Sequence, residues 1–129
     1  MNFGFSAGDI ATVVNVAWRA YSGWKRACGE YSEVTTSLDI LFTHLERIQE
    51  ETEEPDSVLL RSTKDRRDLQ TILASCEPTI RDLDGVLRKY KNLGRSRQSN
   101  WERLRFGIKN LDDLQKKLTR HNAEIAAFT

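Results

Sequence analysis

Fifteen consecutive residues, IATVVNVAWRAYSGW at positions 10–24, carry a single charge, Arg19, in a 129-residue chain of which 30% is Asp, Glu, Lys or Arg. A segment so poor in charge has to be covered on most of its circumference, and it therefore dictates what surrounds it. Ile10, Val13, Val14, Ala17, Trp18, Tyr21 and Trp24 recur at steps of three and four, the spacing of one face of an α-helix. The other positions, Ala11, Thr12, Asn15, Val16, Arg19, Ala20, Ser22 and Gly23, are mostly small or weakly polar. Such a cylinder is normally surrounded by protein, as in a helical bundle, or by lipid. SAGD at 6–9 has the form of a capping box, with the Ser6 hydroxyl placed to accept a backbone N–H and Asp9 near the positive end of the helix dipole.

The rest of the chain continues the helical pattern. Only Pro55 and Pro78 interrupt tracts rich in Leu, Glu, Lys, Arg and Asp, which are good or tolerable helix residues. A second helix is expected over about 30–52, with an inner seam of Tyr31, Val34, Leu38, Leu41, Leu45 and Ile48. EETEEPD at 50–56 then reads as a solvated helix end and turn. The third helix, entered through a short turn at Val58–Leu60, places Leu69, Ile72, Leu73, Cys76, Ile80, Leu83, Leu87 and Tyr90 on its inner side. That register runs on both sides of Pro78, so one helix kinked there is expected rather than two. After a stop at Gly94, Ser99 or Asn100 would cap a fourth helix lined by Trp101, Leu104, Ile108, Leu111, Leu114, Leu118 and Ile125. The expected architecture is one all-α domain spanning 1–129, an antiparallel up-down-up-down four-helix bundle with short loops and an apolar N-terminal helix.

Charge is unevenly arranged although the net charge is only +1. Residues 29–56 hold nine acids and one base, whereas 88–109 hold eight bases and one acid. In an up-down-up-down bundle the 92–100 turn falls at the same end as Lys25 and Arg26, making one end basic and the other acidic. A basic end suits anionic lipid or an acidic partner surface, although a solvated face is the plainer reading. Cys28 and Cys76 have neither CxxC nor histidine at ligand spacing, so a reduced, intracellular setting without disulfides or zinc is expected. MNFGFSAGD lacks the basic region of an export signal, and Asp9, Arg19, Lys25 and Arg26 interrupt any ordinary membrane span.

Nothing in the sequence arranges catalysis or a cofactor. His44 and His121 stand apart from any nucleophile pattern, and phosphate-loop, dinucleotide, nucleophile-elbow and zinc-protease signatures are missing. Asp112 and Asp113 and the 50–56 acids have no ordered calcium-loop spacing. Arg95, Arg97, Arg103 and Arg105 flank Trp101, a composition that can grip phosphate and stack a base. Trp101 also falls on the inner stripe of its helix, so nucleic acid ranks behind lipid and protein partners.

Phe3, Gly4, Phe5, Ser6, Gly8 and Asp9, followed by the apolar tract, give the opening a pattern of aromatic-Gly-Phe-Ser-x-Gly-Asp. This opening resembles that of the HeLo-like N-terminal domains of fungal NLR-type receptors and cell-death effectors. The match covers fourteen residues by motif and the remainder by pattern. The resemblance implies a four-helix fold similar to that of the animal necroptosis effector, and a chain that is the N-terminal part of a longer protein. It further implies a cytoplasmic, heterokaryon-incompatibility-like death domain that self-associates, joins receptor or effector modules, and moves to the plasma membrane, where its first helix inserts.

On that reading Phe3, Phe5, Ile10, Val13, Val14, Val16, Ala17, Trp18 and Tyr21 form the inserting or core helix, and Lys25, Arg26, Arg95 and Arg97 meet lipid headgroups or an acidic partner. Arg19, Asn15 and Thr12 oppose simple insertion, because polar groups in hydrocarbon are costly unless paired. The alternative is a protein-protein adaptor that never touches lipid, anchored by Trp24, Tyr31 or the Trp101 region. Under both readings the first helix can be ordinary core at rest.

Overall fold

The computed structural model describes residues 7–54, 62–90, 93, 94 and 96–128. Among them every regular element is helical: α1 (Ala7–Cys28), a short 3-10 turn (Gly29–Tyr31), α2 (Glu33–Thr52), α3 (Thr63–Lys89), α4 (Arg97–Gly107) and α5 (Leu111–Phe128). α1 and α5 each pack against both α2 and α3, and α4 lies on α1. The proposed Ser6 cap, the turns at Pro55 and Val58–Leu60, and Phe3, Phe5 and Arg95 lie outside the described residues.

Several helix boundaries have a local cause. Asp9 lies in the first turn of α1 and Lys25 and Arg26 in its last, both complementing the helix dipole. Gly29 then adopts φ +56°, a left-handed conformation that glycine reaches without steric penalty, and a Cβ there would also meet Arg97 Cδ at 2.7 Å. Ser32 caps α2 by accepting the Thr35 N–H at 3.3 Å. Tyr31 is thereby left in the 3-10 turn, 47% exposed, rather than on the inner seam of a helix beginning near residue 30. Ser62 caps α3 by accepting the Asp65 N–H at 3.0 Å. α3 passes through Pro78 as one element, with buried Cys76, Thr79 and Ile80 beside it.

The expected fourth helix is in fact two. Its cap is Ser96, which accepts the Ser99 N–H at 3.2 Å, so neither Ser99 nor Asn100 starts it. Asn100 instead donates from Nδ2 to the Ala27 carbonyl at 2.7 Å and ties α4 to the end of α1. α4 stops at Gly107, where Ile108 turns extended and a Cβ would lie 2.9 Å from the Tyr90 hydroxyl. Tyr90 occupies the space that a side chain at 107 would need. The apolar register nevertheless steps from Leu104 to Ile108 to Leu111 across the break, so periodicity alone does not register it.

The core is continuous across the helices. Val34, Leu38, Leu41, Leu45 and Ile48 of α2 are buried, as are Leu69, Leu73, Cys76, Ile80 and Leu83 of α3 and Leu104, Leu111, Leu114, Leu118 and Ile125 of α4 and α5. Trp24 is fully buried; its Nε1 donates to the Leu83 carbonyl at 2.9 Å, and its ring meets Trp101 edge-on at 6.4 Å. Gln115 Nε2 donates to Ser37 Oγ at 2.8 Å and Asn122 Nδ2 to the Ser37 carbonyl at 3.1 Å, so polar bonds also join α5 to α2.

His121 is part of this core. It is 1% exposed, and its Nε2 shares a hydrogen bond of 3.0 Å with Thr79 Oγ1, joining α5 to α3. Burial holds its pKa below the ordinary 6.5; Glu124 opposes this and Arg120 and Lys117 add to it. A histidine with a lower pKa folded than unfolded makes the unfolded chain bind more protons as the pH falls below 6.5. Its contribution is therefore fully present above pH 6.5 and declines below it by up to about 1.4 kcal/mol per pH unit until the folded-state pKa is reached. Urea melts of wild type and His121→Gln between pH 5 and 8 should show that decline flattened in the variant.

Candidate functional site

α1 sorts its residues onto two unlike faces. Ile10, Val13, Val14, Val16, Ala17, Ala20, Trp24 and Cys28 are buried, each 8% exposed or less, whereas Thr12, Asn15, Trp18, Arg19, Lys25 and Arg26 are exposed. Five of the residues expected to insert, Ile10, Val13, Val14, Val16 and Ala17, are therefore core in this structure. The expected inner stripe needs two corrections. Trp18 is 53% exposed and Tyr21 half-buried, while Val16 and Ala20 turn inward. The cause is that α2, α3 and α4 together cover a wide arc of α1, reaching past the stripe that a single neighbour would cover.

The outward aromatic residues form a cluster. The Trp18 ring lies 5.2 Å from that of Phe42 and 5.9 Å from that of Tyr21, and Tyr21 and Phe42 stack at 6.3 Å. The Lys25 ammonium sits 5.7 Å from the Tyr21 ring centroid, within the range of a cation–π contact. Together, Trp18, Tyr21, Phe42 and Lys25 give the α1–α2 surface an aromatic patch with a cation at its edge.

The basic residues are distributed over two neighbouring grooves. Arg26 shares a groove of about 600 Å3 with Arg19, Arg88 and Asp84, against Gly23, Ala27, Leu87, Leu93, Gly94 and Asn100. Asp84, its side chain only 12% exposed, accepts Arg88 Nη2 at 2.7 Å and Arg19 Nε at 3.3 Å, linking α3 to α1. Lys25 and Arg97 line a second groove of about 360 Å3, where Glu30 and Asp39 balance them. The structure thus brings Lys25, Arg26 and Arg97 to one end of the molecule, and adds Arg19 and Arg88, which sequence reasoning did not select. The i,i+4 spacing of Asp84 and Arg88 was a legible signal for one of those two contacts.

Among the proposed adaptor anchors, Trp24 is inaccessible, Trp101 is half-buried and Tyr31 is exposed. The most exposed large apolar side chain among the described residues is Phe106, at 82%, with the Arg105 guanidinium 5.7 Å from its ring centroid. Burial raises the Cys28 thiol pKa to about 11 and, with help from Glu124, that of Cys76 to about 12, so both remain protonated and unreactive at neutral pH. Among the described residues no group of three His, Cys, Asp or Glu side chains is placed to hold a metal ion, and no helix is long and apolar enough to cross a membrane. In comparisons with known protein families, curated proteins and solved structures, no match to this chain is found.

Proposed function

We propose that this chain is a non-catalytic signalling domain of the HeLo-like kind, a bundle in which α4 and α5 together stand where a four-helix bundle has its fourth helix, and that it docks on anionic membrane through the outward face of α1. The observation that carries the reading is the two-sidedness of α1: Trp18, Arg19, Lys25 and Arg26 face outward while Val13, Val14, Val16 and Ala17 fill the core. Aromatic and cationic side chains side by side suit the headgroup region, where tryptophan lies at the interface and each base adds about 1 kcal/mol. Docking comes first in this scheme. Self-association and release of α1 follow, converting the buried face into the inserting one and producing cell death at the plasma membrane. Release needs a ligand that binds the opened state better than the closed one, and a membrane surface or a second copy has that character.

Co-sedimentation with vesicles tests the reading. Binding should be absent on neutral phosphatidylcholine, rise with the phosphatidylserine fraction, and weaken between 0.05 and 0.5 M salt, as ~10 Å screening lengths shrink. Dye release should accompany binding if the 129-residue chain inserts unaided. Binding that ignores lipid charge would sink the proposal.

A second reading, an adaptor that docks a protein partner, is favoured by the outward Phe106 capped by Arg105. It places the contact on α4 and expects no vesicle binding at any composition. In that case the basic end is a solvated face or meets an acidic partner surface in a receptor or effector module.

A further inference from the structure

The groove of about 360 Å3 beside Tyr21 is lined by four charges of both signs, Lys25 from α1, Glu30 from the 3-10 turn, Asp39 from α2 and Arg97 from α4. They share it without closing on one another: among the described residues no salt bridge joins Lys25 or Arg97 to Glu30 or Asp39. Each stands on a different element, so helix packing sets where it lies. Arg97 owes its position to a bare backbone, because a Cβ at Gly29 would fall 2.7 Å from Arg97 Cδ and 3.4 Å from its Nε and Nη1. The Lys25 ammonium rests 5.7 Å from the centroid of the Tyr21 ring.

Thr35 adds an independent observation. It lines the same groove and is 7% exposed, and its Oγ1 is buried with no hydrogen-bond partner among the described residues. Thr71 and Thr119 bond back to the carbonyl four residues earlier, and Thr52 to the one three residues earlier, the ordinary recourse of a hydroxyl within a helix. Thr35, in the first turn of α2, makes no such bond, and a buried hydroxyl left unmatched weakens a fold unless another molecule meets it.

The charges select what that molecule carries. A simple anion would be repelled by Glu30 and Asp39 and a simple cation by Lys25 and Arg97, whereas a molecule bearing both charges is attracted by all four. The Arg97 fork matches a carboxylate, and the two acids accept from an ammonium. A volume of about 360 Å3 is that of a small-molecule site. We propose that this groove binds a free α-amino acid as its zwitterion, with the carboxylate on Arg97 and Lys25, the ammonium on Glu30 and Asp39, and the side chain against Tyr21. Such binding is independent of any membrane.

Isothermal titration of the 129-residue chain at pH 6.5 tests it with three soluble probes. These are L-phenylalanine, L-phenylalaninamide, which lacks the carboxylate, and N-acetyl-L-phenylalanine, which lacks the ammonium. The wild-type chain should bind phenylalanine at least about tenfold more tightly than either derivative. Arg97→Gln should erase the preference over the amide, and Glu30→Gln/Asp39→Asn the preference over the acetyl compound. All three positions are exposed, so the fold should survive, as far-UV circular dichroism checks. Thr35→Val removes the hydroxyl at nearly constant shape; it should weaken phenylalanine binding and leave the thermal midpoint unchanged or raised, because an unpaired hydroxyl does not support the fold. A lowered midpoint with unchanged affinity would overturn the part assigned to Thr35. Equal affinity for the three probes, or no binding of phenylalanine, would overturn the site.

Discussion

Val14→Asp is expected to abolish the cooperative thermal transition followed at 222 nm, leaving a chain that is unfolded or loosely collapsed at pH 7. Val14 is 8% exposed and belongs to the continuous core with Ile10, Ala17 and Leu38. An ionised carboxylate there costs several kcal/mol even after relaxation, and a protonated one still leaves an unpaired polar group. Against a total stability of about 5–15 kcal/mol that loss is decisive, whereas Val14→Ala removes two methyl groups and costs about 2 kcal/mol. A native-like melt of the aspartate variant would show that α1 does not form the core described here. The consequence for function is direct. Silence of Val14→Asp in a membrane assay does not distinguish lost insertion from lost folding, so the outward face of α1 is where membrane docking has to be tested.

Much of the fold was legible because the apolar spacing of each long helix matches its buried face. In α2 the positions Val34, Leu38, Leu41, Leu45 and Ile48 are all inside, since steps of three and four keep them on one stripe. Trp18 and Tyr31 were misplaced for different reasons. Trp18 fits the period but lies at the edge of the arc that the neighbours cover, so it packs laterally on Tyr21 and Phe42. Tyr31 precedes the Ser32 cap, a boundary that the aromatic's spacing to Val34 conceals. The break between α4 and α5 falls where Gly107 lies against Tyr90, a contact between segments that no local pattern encodes. His121 follows Leu118 by three and precedes Ile125 by four, which marks an inner position; its partner Thr79, on another helix, was not readable.

The candidate site was legible as charge and hidden as geometry. The clustering of bases in 88–109, and of Lys25 and Arg26 after the apolar tract, pointed to a common basic end, and Asn100 bonding to Ala27 brings α4 to the end of α1. Spacing could not show that Asp84 gathers Arg19 and Arg88 from two helices, or that Glu30 and Asp39 share a groove with Lys25 and Arg97. These pairings change what each base can do. A lipid headgroup meeting Arg88 meets a side chain already oriented, while one meeting Arg97 meets a groove whose acids offset its charge.

The variant with the largest expected effect on membrane docking is therefore Lys25→Glu/Arg26→Glu. Removing two bases costs about 2 kcal/mol of attraction to an anionic surface and reversing them about 4, so vesicle affinity should fall by about a thousandfold at low salt. The difference from wild type should narrow at 0.5 M salt, where the screening length approaches ~4 Å. Folding should survive: both side chains are exposed in the last turn of α1, and acids there oppose the helix dipole by about 0.3–1 kcal/mol each. Reversing Arg19 or Arg88 would be a poorer test, because each holds the nearly buried Asp84 and its loss would disturb the contact between α1 and α3. A folded Lys25→Glu/Arg26→Glu protein with unchanged affinity for phosphatidylserine vesicles would remove the outward face of α1 as the docking surface. The exposed Phe106 on α4 would then be the surface to test against protein partners, because its contact does not require lipid charge.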